Sequence, residues 1–165
     1  MDNLNMHNHY ILAWAWPTVR DHMQSHAKTT GWGGTYTCHK QGIMLGVGDE
    51  IFDCFLKDGQ LWVMTNFIAA KVYVKRMYHY TQTNILTDAF HVDAVPGANP
   101  IRFDVSVSPT HMQKLRYINA DGMIRPFAIG KNGMLVNQAL RMSVIQVPDS
   151  TADMLRAYAN LPQLI

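Results

Sequence analysis

Trp32 stands in the run Gly31-Trp32-Gly33-Gly34, and a wide flat ring on a backbone that another molecule can approach closely suits stacking on a planar ligand. Closing the end of a hydrophobic core is the other reading of such a ring. The remaining chemical candidates are weaker. His22 and His26 are four apart and fall on one helix face, as in part of a metalloprotease signature. Met23 stands where that chemistry needs Glu, and no third ligand follows, so they read as surface histidines. Cys38-His39 and Asp49-Glu50 could start a nucleophile–base pair and a carboxylate pair. Adjacent strand residues point to opposite faces, so neither pair meets at one reacting atom, and Gly48-Asp49 reads as a turn. Phosphate loops and nucleophile elbows are missing. These residues predict a binding domain with no catalytic residue, metal or cofactor, and a third reading keeps a small catalytic or nucleotide-sensing domain.

The chain has 165 residues, 48% hydrophobic and 16% charged, the profile of one globular domain with one core, and residues 1–8 read as a flexible N-terminal segment. A formal charge of +2 is compatible with nucleic acid without requiring it. The basic residues Lys28, Lys40, Arg102, Arg116, Lys131 and Arg141 are candidates for phosphate contacts, with solvated surface as the alternative for each. Cys38 and Cys54 are too far apart for a Cys-x-x-Cys site and read as reduced thiols. No apolar run reaches the roughly 20 residues of a membrane span, so the expectation is a soluble, intracellular (cytoplasmic) protein.

The elements must hold Trp32 in place. Tyr10 to Trp16 reads as a buried strand, on which Trp14 and Trp16 share a face and are either both core-side or both ligand-side. Val19, Met23 and Ala27 predict an amphipathic helix over 17–29 that delivers the chain to Trp32. Irregular strands are expected over 35–47. A hairpin then follows from 51–56 and 61–74 about an Asp58-Gly59 turn, with a bulge near Ala69-Ala70, and Trp62 packs on its sheet. Residues 77–100, with no sustained period, read as a long ordered loop. Next come a strand over 101–107, a short helix capped by Ser108 or Thr110, a strand over 142–147 and a terminal helix begun by Pro148-Asp149-Ser150.

The order of Tyr10-Ile11-Leu12, helix, Gly31-Trp32, Val47-Gly48-Asp49-Glu50 and the strand from Phe67 to Val74 resembles the PUA-like superfamily, in particular its YTH and EVE branches. Pro100-Ile101-Arg102-Phe103-Asp104-Val105, Leu115-Arg116-Tyr117-Ile118 and Val147-Pro148 extend the resemblance over most of the chain. It implies an α+β fold, a curved PUA-like β-barrel of about six strands flanked by helices. It also implies a reader that flips a modified, typically methylated, base into an aromatic cage. The partner is then modified DNA or RNA, such as N6-methyladenine in RNA or modified cytosine in DNA. A larger effector or nuclease is a further partner if the chain is the specificity module of a modification-dependent restriction system. By resemblance Trp32 is the pocket tryptophan, Gly33 offers its backbone to the base edge, and Trp14 and Trp16 lie along the base. A second cage tryptophan is absent, so Tyr80 or Phe90 would take its place. A PUA-like RNA-binding module without modification preference is the alternative.

Overall fold

The computed structural model describes residues 7–26, 34–37, 40–79, 82–136, 139–140 and 144–162. It is a mixed α+β arrangement built on one six-stranded sheet. Strand β1 (His9–Trp14) leads directly into helix α1 (Trp16–His26), with Pro17 in its first turn. Strand β2 (Gly34–Thr37) follows, then a 3-10 turn (Lys40–Met44) and the long antiparallel run β3 (Glu50–Lys57), β4 (Gln60–His79) and β5 (Gln82–Ala94). A short helix α2 (Pro109–Met112), strands β6 (Arg116–Ile118) and β7 (Ile124–Pro126), strand β8 (Val144–Val147) and helix α3 (Asp149–Ala159) complete the order. The sheet runs β2-β5-β4-β3-β1-β8, with β1 parallel to β3 and antiparallel to β8, while β6 and β7 form a separate pair. Strands β2 and β8 are its edges.

The β3–β4 hairpin forms where the sequence expects it. Asp58 and Gly59 both take positive φ, 53° and 77°, which matches the right-handed twist of the flanking strands. Strand β4 is 20 residues long because it serves two partners: its first half pairs with β3 and its second with β5. The register shifts between Ala69 and Lys71, so the expected bulge lies at the handover. A second shift, at Asp53/Cys54, was not expected.

Two expectations give way. Residues 77–100 are not a loop, since β4 continues to His79 and β5 returns from Gln82 to Ala94. Much of this arm is exposed on both faces, Ile85 and Leu86 included, and without one buried face there is no period-2 signal to read. Residues 101–107 form no regular strand. They follow β4 through spaced hydrogen bonds, from Val63 N–H to the Val105 carbonyl and from Val107 N–H to that of Leu61, with one bridge between Trp62 and Ser106. The short helix does start at Ser108, whose hydroxyl accepts the His111 N–H.

Alternation along the central strands divides the core. Ile11, Phe52, Cys54, Leu61 and Val63 face Ala152, Leu155 and Ala159 of α3. Tyr10, Leu12, Ile51, Phe67 and Val92 form a second cluster, and Val19 of α1 meets Phe55 and Met64 in a third. Asp53 lies between Ile51 and Phe55 on this second side. Among the described residues no helix is long and apolar enough to cross a membrane.

Candidate functional site

Strand β1 ends at Trp14 and α1 begins at Trp16, so the strand alternation expected to relate the two tryptophans does not apply to them. Both pack on the Val19–Phe55–Met64 cluster, but their polar and ring contacts differ. Trp16 stacks on Phe55 at 5.3 Å with Lys57 Nζ 4.5 Å above its ring, and Phe55 stacks in turn on Trp62 at 5.9 Å. With a ring stacked on it and a cation over it, Trp16 is already engaged in packing.

Trp14 occupies a different setting. Its indole N–H donates to Asp53 Oδ1 at 3.2 Å, and its ring meets Tyr36 of β2 edge-on, with centroids 5.2 Å apart and an interplanar angle of 85°. Asp53 is fully buried, and burial pushes its carboxyl up to about 7, against the opposing pull of the Trp14 hydrogen bond and of the Thr35 hydroxyl, which lies beside the carboxyl but outside hydrogen-bond distance. Its Oδ2 has no partner within hydrogen-bond distance, and neither has the buried Thr35 Oγ1 on β2. A buried oxygen left without a donor costs about 1–3 kcal/mol, so two of them at one corner call for an explanation.

Next to this corner Tyr36, His91 and Tyr73 stack across β2, β5 and β4. His91 is 5.5 Å from Tyr36 and 5.3 Å from Tyr73. Burial, and then the charge of Lys75, hold the His91 imidazole below its usual range. Lys71 lies 4.8 Å over the Tyr73 ring, and Lys71 and Lys75 are both exposed.

The residues expected from the sequence are dispersed. Trp32, Gly33, Tyr80, Lys28 and Arg141 lie outside the described residues, as do Cys38 and His39. Phe90 pairs across β5 with Thr37, one residue out of step with the His91–Tyr36 pair, and so projects from the opposite face. Its ring is so near Gly42 that a Cβ there would collide with it. Lys40 and Lys131 are exposed. Arg102 is buried: its guanidinium donates to Asp104 at 2.8 and 3.0 Å and to the Leu161 carbonyl, which takes it out of reach of a phosphate. Arg116 is half-buried and donates to the Gln113 and Leu115 carbonyls. Asp53, Thr35 and Tyr36 were not singled out from the sequence. The available signal was one acid within the apolar run Ile51–Leu56, since a buried polar residue is more informative than an exposed apolar one.

No protein-family model matches the chain, and no curated protein matches it. Among solved structures it is similar to the YTH domain of the Zygosaccharomyces rouxii MRB1 protein in complex with N6-methyladenosine RNA, with a TM-score of 0.46 and 10% identity. The similarity covers 100% of this chain and 92% of that one.

Proposed function

We propose that this chain is a nucleic-acid-binding reader of a modified base, acting by binding alone, with the extruded base taken up at the corner of Trp14, Tyr36, Thr35 and Asp53. One observation carries the reading: Asp53 Oδ2 and Thr35 Oγ1 are buried without partners beside two aromatic rings. An aromatic surface returns roughly 1–3 kcal/mol of the stacking that a flipped base loses, and orphaned oxygens supply the hydrogen bonds that tell one base edge from another. Trp32, three residues before Thr35, is the stacking ring in this proposal, and Lys71 and Lys75 are the nearby cations available to a phosphate backbone.

The test is titration of the full chain with short DNA and RNA oligonucleotides, modified and plain. The expected result is preference for one modified base, lost in Trp32→Ala while weak, salt-sensitive binding persists. Equal affinity for modified and plain strands would instead assign a nucleic-acid module without modification preference.

A further inference from the structure

The Asp53 carboxyl is unusual in what surrounds it. Strand β1 presents Leu12 and Trp14, β4 presents Thr65 and β2 presents Thr35. Arg20 and Asp21, the ionisable α1 side chains described, are exposed and 3.7 Å from each other. Cys54, next along the strand, belongs to the core on the other face. No cation among the described residues contributes to the shift of Asp53. The carboxyl therefore has one oxygen held by the Trp14 indole and the other bare, with a bare hydroxyl close by.

Resting on the base-reading function above, we propose that Asp53 reads the base as a neutral carboxylic acid. Its Oδ2–H donates to an unprotonated ring nitrogen, while Thr35 Oγ1 accepts an N–H from the neighbouring exocyclic amino group. The ligand class is an amino-bearing base, a modified adenine or cytosine, whose edge sets an acceptor beside a donor. The reverse arrangement, with an ionised Asp53 accepting from the amino group, seals an anion under the base with no cation to balance it. Oδ1 already accepts from an N–H, so a proton on this carboxyl belongs on Oδ2. A methylated exocyclic amine fits better than a plain one. It has one N–H, which Thr35 takes, whereas the second N–H of a plain amine is left without a partner among the aromatic rings. Asp53 is sealed from solvent, so the base must displace what covers it.

A carboxyl that titrates near 7 and binds only when protonated gives a definite pH profile. The experiment measures Kd by fluorescence anisotropy from pH about 5.5 to about 8.5. The probes are a short single-stranded RNA with one central N6-methyladenine, its plain counterpart, and a DNA strand with one modified cytosine. For the strand that binds, Kd is expected to be flat below pH about 7 and to rise ~tenfold per unit above it. Asp53→Asn keeps an acceptor for the indole and puts an N–H donor at the Oδ2 position. It should erase the slope and bind more tightly than the wild type at the highest pH. Thr35→Val should weaken the methylated strand by about tenfold and narrow the gap to the plain one. Affinity that rises with pH, a slope that survives in Asp53→Asn, or loss of binding in that variant overturns the assignment while leaving the reader function standing. No saturable binding of any probe overturns both.

Discussion

Strand β3 carries two buried carboxylates three residues apart, and they live in opposite circumstances. Glu50 accepts from Arg156 at 2.9 and 2.6 Å, from Asn66 Nδ2 at 3.2 Å and lies 2.9 Å from His9 Nδ1, joining β1, β3, β4 and α3. Asp53 accepts one indole N–H and has a bare oxygen. Both are inside the protein, 5% and 0% exposed, so burial alone does not distinguish them. The supply of donors does: a saturated carboxylate holds elements together, whereas an unsatisfied one weakens the fold.

The largest expected effect lies on the Glu50 side. Arg156→Met keeps the aliphatic stem but removes the guanidinium, leaving Glu50 buried with only His9 and Asn66. Because Arg156 is itself 37% exposed, the loss should fall below that of a fully buried pair, at about 2–3 kcal/mol in urea denaturation at neutral pH. A loss under about 0.5 kcal/mol would erase the contrast between the two acids.

Asp53 predicts the opposite sign. Its carboxyl is raised from 3.8 in the unfolded chain to about 7 in the folded one, so between those values the native state binds the extra proton. Its contribution to stability is therefore intact below pH about 4 and falls as pH rises towards 7, by up to about 4 kcal/mol in all. Asp53→Asn cannot ionise, so at pH about 8 it should be more stable than the wild type by about 2 kcal/mol, the remainder being offset by an unpaired buried amide. At pH about 4 that advantage should vanish. An equal difference at both pH values would show that Asp53 does not titrate in this range.

Legibility in the sequence followed the same division. The β3–β4 hairpin was readable from Asp58-Gly59, the bulge from the length of the second arm, and α3 from Pro148-Asp149, because each is fixed by neighbours in the chain. The β4–β5 arm was hidden because exposure on both faces removes the alternation that marks a strand. Trp14 stands out as an aromatic residue, but its partners Asp53 and Tyr36 come from two other strands, and only the sheet topology brings them to it. The contrast between Glu50 and Asp53 was equally hidden, since Arg156 is 106 residues from Glu50 and no local pattern announces the pairing.

The smallest effect isolates the single hydrogen bond that Asp53 has. Trp14→Phe removes the indole N–H from Oδ1, and that bond is one of the influences holding the carboxyl down against burial. Its loss should raise the Asp53 pKa further and weaken the fold at pH about 8 by about 1 kcal/mol more than at pH about 4. The ring is also smaller, so some packing is lost at both pH values, and only the difference between them reports on the carboxyl. The double variant with Asp53→Asn supplies the control. With nothing left to ionise at residue 53, the pH-dependent part of the Trp14→Phe cost should disappear while the packing part stays. If the extra loss at high pH persists in the double variant, the indole acts on some other group, and Asp53 has no donor of its own to set against Glu50's several.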